Sequence, residues 1–292
     1  MNKNELQAIL TLLEDPDNQI YDSVSKSLFE KGEDVIPDLE KAWEVTESSL
    51  TQDRLENIIH KIQQNLVHQS LSNWVKAGAK DLLEGAFIIS KHHYPDIQLE
   101  DICIPVEKIK QEVLLMISDQ MTTLEKIKAI NHVMFEMNLF SGNTTNYYAP
   151  QNSYINQVLF SKKGNAISIG LLYAAVAQSL GLPVFGVNLP KNFILAYRDE
   201  FYELLNSDST ADGILFYINP FNKGAILGRK EIDHFLQQQN ITPVDSYYST
   251  CSNLEIIQRL ILNLIYSYEK LESREKINDL KDLLKISRWT KP

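Results

Sequence analysis

Thiols are scarce in this sequence: Cys103 and Cys251 are the only two in 292 residues. They lie far apart without metal-ligand spacing, so a disulfide-built scaffold and a cysteine metal site are both excluded. Two reduced thiols fit a cytoplasmic protein. Long apolar runs are missing too. No stretch approaches the roughly 20 apolar residues that cross a bilayer. The leading MNKNELQAIL is polar and lacks the apolar run and small-residue cleavage site of a secretion signal. Positive charge is also short: 28 Lys and Arg face 38 Asp and Glu, for a net charge of −10. A chain with that balance and no Lys/Arg run is not expected to bind nucleic acid or an anionic membrane. What is present is ordinary for a globular protein, with 44% hydrophobic and 23% charged residues. A substantial core is expected, and neither a low-complexity segment nor a flexible linker interrupts it.

The first segment has helical periodicity. Apolar residues recur at three- and four-residue steps, as Leu6, Ile9, Leu10 and Leu13, then Ile20, Val24 and Leu28. Asp15-Pro16 breaks the first helix, with Pro16 suited to the first turn of the next. Gly32 ends the second helix, and Val35, Ile36, Leu39 and Trp43 begin a third apolar face. The words LLEDPDNQI and SLFEKGEDVIPDLEKAW resemble a HEAT repeat, a helical type that presents a surface to proteins. The same helices serve equally well to pack against the domain C-terminal to them.

Helices are expected to continue from about 50 to 140, interrupted near HHYPDIQLEDICIP, where Pro95 and Pro105 bound a loop. His92 and His93 in that loop have no third ligand at useful spacing, so they read as solvated and no metal is expected. His60, His68 and His234 are lone residues on helical patterns. From about 141 the texture becomes rich in Asn, Gly, Ser and Tyr, which favours turns held by side-chain hydrogen bonds. AISIGLLYAAVAQSLGLPV is then apolar nearly all round, the mark of a helix buried on every side, and Gly181 and Pro183 stop it. Three strand-like runs come next, VFGVNL (184–189), NFILAYRD (192–199) and ILFYINPF (214–221), the last two separated by a polar loop around SDSTADG. The tail, NLEIIQRLILNLIYSYEKLESREKINDLKDLLKI, is two amphipathic helices joined near Glu272. It looks like one tetratricopeptide-like hairpin, which must dock on a core to bury its apolar face.

A buried central helix before antiparallel strands is where papain-like and transglutaminase-like enzymes place their chemistry. A Cys at the helix N-terminus gains thiolate character from the dipole, and a His and an Asp or Asn on successive strands complete the unit. The words KIKAINHVMFEMNLFSGN, NYYAPQNSYINQVLFSKKGNAISIGLLYAAVAQSLGLPVFGVNLP, NFILAY and YINPFNKGAILGR make the stretch from about 124 to 230 similar to the bacterial SirB-type transglutaminase-like family. Aligned on that resemblance, the nucleophile position reads Ala166 in GNAIS, and members of this branch commonly lack the Cys as well. The place where the branch keeps His before Phe reads Asn192 in LPKNF. The place where it keeps Asp before Pro-Phe-Asn reads Asn219 in INPFN.

Ala has no nucleophile and Asn accepts no proton at neutral pH. Losing the nucleophile or base of such a unit costs on the order of 10⁴–10⁶ in rate. The resemblance therefore implies a catalytically inactive protein or peptide binder with no cofactor. The alternative is acyl transfer or hydrolysis at a non-standard centre, Ser168 with His132 from AINHVMFEMNLF. Tyr147, Tyr148, Asn152, Ser153, Asn165, Ser168, Asn192 and Asn219 are expected around the old site. They either form a cleft for a hydrogen-bonding ligand or fasten loops to one another. Cys251, in STCSNLEII, precedes a helix for which Ser252 or Asn253 are ordinary caps. The expected fold is α+β and mostly helical: a HEAT-like region over 1–75, a transglutaminase-like (papain-like) core with a small antiparallel sheet over 76–245, and a tetratricopeptide-like hairpin over 246–292.

Overall fold

A computed structural model describes residues 3–199 and 213–288. The polar loop expected around SDSTADG lies outside them except for Gly213. The fold is α+β, mostly helical, with a small antiparallel sheet. It divides into two compact units, Met1–Ser72 and Asn73–Pro292.

In the first unit, α1 (Lys3–Glu14), α2 (Asn18–Lys31) and α3 (Ile36–Val45) lead into the long α4 (Ser49–Lys76). Asp17 caps α2 by accepting from the Gln19 amide, so Pro16 stands before the cap rather than in the first turn. The apolar stripes meet in a core of Leu13, Val24, Leu28, Val35, Leu39 and Leu55, among others. Trp43, which the periodicity placed on that face, remains partly exposed. Arg54 is buried and donates from Nη1 to the carbonyls of Leu13 and Asp15, so a cation satisfies the end of α1.

The second unit is organised around α9 (Ala166–Ser179), whose residues from Ile167 to Ala177 are all buried. An apolar sequence all round the helix requires this, because neighbours must cover every face. Those neighbours include α5 (Leu82–Lys91), α6 (Glu100–Leu114), α8 (Ile155–Ser161), α11 (Asn253–Lys270) and the strands Val184–Val187 and Ile194–Arg198. The sheet runs β3 (Val184–Val187), β4 (Ile194–Arg198), β5 (Ile214–Asn219) and β6 (Ala225–Leu227), all antiparallel. Beyond it, α10 (Arg229–Gln238) closes one face through Ile232 and Leu236, which join Val187, Ile194, Ala196 and Tyr217. α12 (Arg274–Arg288) pairs with α11 to make the terminal hairpin, and Glu272 turns the chain at φ 56°.

Three further features depart from the sequence expectation. Pro105 does not bound a loop but lies inside α6. Ile102, Val106, Ile109 and Val113 are all buried on one stripe across it, and that packing outweighs the lost backbone bond. His92 and His93 are not solvated. His92 is buried, and the His93 ring stacks on Tyr154 at 5.3 Å, where desolvation lowers its pKa. A two-residue parallel pairing of β1 (Ser141–Gly142) with β2 (Lys163–Gly164), too short to show a period, ties the loop before α9 to its approach strand.

Candidate functional site

The N-terminus of α9 is fixed by side chains rather than by packing alone. Asn165 caps it: the amide oxygen accepts from the Ile167 and Ser168 N–H groups at 3.0 and 2.9 Å. Ser168 completes a capping box by accepting from the Asn165 N–H at 3.0 Å, and its hydroxyl donates to the Asn152 carbonyl at 2.6 Å. Asn165 also donates to Ser153 Oγ at 2.7 Å. Asn152 donates to the carbonyls of Asn146 and Tyr147 and accepts from the Asn143 amide. Asn and Ser recur here because their side chains bond the backbone and side chains of the 143–153 loop to one another and to the helix tip.

Ser168 is therefore a structural clasp. Ser168→Ala is expected to cost about 1 kcal/mol, because the Asn165 N–H and the Asn152 carbonyl lose the hydroxyl but keep their bond to each other at 3.1 Å. Urea denaturation measures this, and a loss below about 0.5 kcal/mol would show that the clasp does not carry the loop.

Above the helix tip lies a pocket of about 170 Å³ lined by Tyr147, Tyr148, Asn165, Ala166, Ile167, Lys191, Asn192, Phe193, Arg259, Asn263, Tyr266 and Ser267. Tyr147, Tyr148, Asn165, Ala166 and Asn192, five of the positions expected around the old site, line it together. Asn152, Ser153 and Ser168 are buried beneath it in the clasp. Asn219 is not a lining residue. Its amide oxygen accepts from the Asn222 N–H at 3.2 Å, capping the short helical turn Pro220–Asn222. The register pairing Leu195 with Ile218 nevertheless puts Asn192 and Asn219 at the same end of the β4–β5 pair. His132 opens a π-helical turn, His132–Met137, and its Nδ1 meets the Glu136 carboxylate at 2.7 Å on an exposed face.

The floor and walls are aromatic. Phe193 is fully buried, and a Cβ on Gly170 would come within 2.8 Å of its ring, so α9 needs a glycine there to let β4 approach. Tyr147 packs edge-on against Tyr148 at 5.2 Å, and Tyr148 against Tyr266 at 5.5 Å.

Apart from Ile167 of α9, the lining residues that sequence reasoning missed come from α11 and the turn before β4. Arg259 of α11 donates from Nη2 to the carbonyls of Leu189 and Asn192 at 2.8 and 2.5 Å, and from Nη1 to Asn188 Oδ1 at 3.2 Å. Desolvation holds its pKa below the usual arginine range. No local signal marks it: Ile256, Ile257, Leu260 and Ile261 share one face of α11, and the helical period puts Arg259 on the opposite, polar face. Cys251 pairs its N–H with the Gly186 carbonyl, and Ser252 caps α11 with Glu255 as its box partner. Burial pushes the Cys251 thiol up to about 12, with Glu255 adding to the rise and Arg259 opposing it. A partly buried thiol with its pKa raised in this way is a poor nucleophile at neutral pH.

Residues 100–262 match the family model described as the transglutaminase-like superfamily. Among individual proteins, the chain is 29% identical over 256 residues to human F-box only protein 21, covering 78% of this chain and 39% of that protein. It is 33% identical over 156 residues to a UPF0162 protein of Xylella fastidiosa, covering 52% of this chain and 50% of that one. It is 27% identical over 190 residues to the UPF0162 protein YchA of Escherichia coli, covering 62% and 64% respectively. The chain thus spans well under two thirds of the length of the human and Xylella relatives. No solved structure matches it. Among the described residues, no helix is long and apolar enough to cross a membrane. With more than half its length matched to the family model, from α6 into α11, the chain belongs to the transglutaminase-like superfamily.

Proposed function

We propose that this protein is a catalytically inactive transglutaminase-like binding module of the SirB type, which holds a peptide segment of a partner protein in the pocket above α9. The observation that carries this reading is the identity of the residue at the helix tip. The position where an enzyme of this fold needs its thiol is occupied by Ala166, a methyl group, on the wall of a formed pocket. Asn192, in the place of the base, faces that pocket as a neutral amide whose oxygen accepts from the Phe193 N–H. Asn219, in the place of the orienting acid, is engaged as a cap. A site with ring walls and amide edges, and without a proton acceptor of near-neutral pKa, holds a ligand and leaves its bonds alone.

The flanking helices extend the same reading. The HEAT-like region over 1–75 and the tetratricopeptide-like hairpin over 246–292 belong to helical types that present surfaces to proteins. A cytoplasmic protein with two reduced thiols and no cofactor, nucleic acid or membrane to serve fits this role.

An array of random decapeptides probed with the labelled full chain tests it. A reproducible set of bound peptides is expected, and Ala166→Trp, which fills the pocket with an indole, should weaken them at least about tenfold with the melting temperature unchanged. Binding that survives the filled pocket, or an array with no bound peptide, would contradict the proposal.

A further inference from the structure

The charges around the pocket run against the rest of the chain. The protein carries a net charge of −10, yet the charged residues lining the pocket are Lys191 and Arg259, and none of the lining residues is acidic. Arg259 is not held there by an ion pair. Its three bonds go to the neutral acceptors Asn188 Oδ1, Leu189 O and Asn192 O, and its Nε–H meets no acceptor among the described residues. A half-buried guanidinium fixed by carbonyls has its geometry set in advance while its charge stays unneutralised. Lys191, the second cation, makes only a long 3.3 Å bond to Gln239 Oε1.

Two more donors line the same space unused. The Ala166 N–H, at the first position of α9, has no acceptor among the described residues, since the Asn165 cap takes the N–H groups of Ile167 and Ser168. The Asn263 side-chain amide likewise makes no hydrogen bond among the described residues. Size narrows the choice further. About 170 Å³ is close to the space that takes one ring-sized group, and well below the several hundred Å³ of a drug-sized site. Of a bound peptide segment, the pocket itself takes the end of one residue.

Resting on the peptide-binding reading above, we infer that the group this pocket receives is a carboxylate, held between Arg259, Lys191 and the free N–H at the tip of α9. Two sources share that chemistry, the C-terminus of a peptide chain and an Asp or Glu side chain. Either one brings the negative charge that the two cations leave unbalanced and an acceptor for the one N–H the cap does not take. The aromatic walls of Tyr147, Tyr148 and Tyr266 accommodate the methylenes or the preceding side chain.

The experiment uses the full chain against decapeptides in three forms: free C-terminal acid, C-terminal amide without acidic residues, and C-terminal amide with one internal Asp or Glu. Fluorescence polarisation gives each affinity. Peptides with a carboxylate are expected to bind at least tenfold more tightly than neutral amides, and the first and third forms separate the terminal from the side-chain source. Lys191→Glu and Asn263→Asp alter partly or fully exposed side chains outside the clasp, and each should weaken acid binding at least fivefold with the melting temperature unchanged. Equal binding of all three forms would overturn the carboxylate assignment and leave the peptide-binding reading standing. So would hits that depend on phosphoserine instead of a carboxylate.

A parallel titration with N-acetylalanine, monitored by amide NMR, separates the opposite failure. Shifts confined to Ala166 and the Arg259 Nε–H without any peptide binding would keep the carboxylate site and remove the peptide. Silence in both experiments overturns the inference.

Discussion

Ala166→Cys is expected to give this protein its most reactive thiol. In a Cys103→Ser background, the comparison is with Cys251, which burial pushes up to about 12. At pH 7 a thiol of that pKa is thiolate only to the order of 10⁻⁵. A thiol at position 166 would stand in the first turn of α9, on the pocket that Arg259 and Lys191 also line. Helix N-termini and neighbouring cations lower thiol pKa values to about 7.5 or below. The gain in thiolate is more than four powers of ten, and the lower intrinsic nucleophilicity of the more acidic thiol gives back about two of them. Iodoacetamide should therefore label the introduced thiol at least about 100-fold faster than Cys251. Amide turnover should still be missing, because Asn192 offers no base. Labelling no faster than that of Cys251 would mean that position 166 does not occupy the nucleophile's place.

Phe193→Ala is expected to lower the stability of the chain by about 4 kcal/mol. The ring is fully buried, and its neighbours have been reduced to fit it. A Cβ on Gly170 would lie 2.8 Å from the ring and one on Gly186 2.7 Å, so two glycines, one in α9 and one in β3, form its slot. Glycine cannot refill the cavity, so the lost transfer energy and the cavity cost add. The Arg259 guanidinium, 5.9 Å from the ring centroid, loses its aromatic neighbour as well. Urea denaturation with the full chain reads the change. A loss under about 1.5 kcal/mol would show that the sheet closes over the gap and that the pocket floor is not rigid.

How much of the fold was legible beforehand depends on the kind of signal each feature leaves. The α9 helix showed itself because Ile167 to Ala177 contains no polar face, and a helix with none has to be central. Strands β3, β4 and β5 fell within the expected runs because β-branched and aromatic residues cluster there between turn residues. β6, three residues long in AIL, is below the length at which alternation can be read. Pro105 misled because local chain stiffness spoke for a break, while the buried stripe of Ile102, Val106, Ile109 and Val113 spoke for continuity and won.

The site divides in the same way. Asn165 and Ser168 were placed near the site by the family resemblance, not by their role as a cap, and the Tyr147, Tyr148 pair stood out by composition. Arg259 and Asn263 reach the pocket from a helix more than ninety residues after Asn165, which no local pattern records. The division of labour among the asparagines was equally hidden. Asn152 and Asn219 spend their amides on backbone, whereas Asn165 and Asn192 do so while also lining the pocket.

The central claim is that the pocket above α9 holds its ligand without changing it. Intact-mass spectrometry of both partners tests this most directly, after a tight-binding peptide and the full chain have been incubated together for a day at pH 7.5. The expected result is a peptide of unchanged mass and a protein of unchanged mass, with and without an added primary amine. A cleaved, deamidated or amine-linked peptide, or an acyl adduct on the protein that disappears in Ser168→Ala, would contradict it.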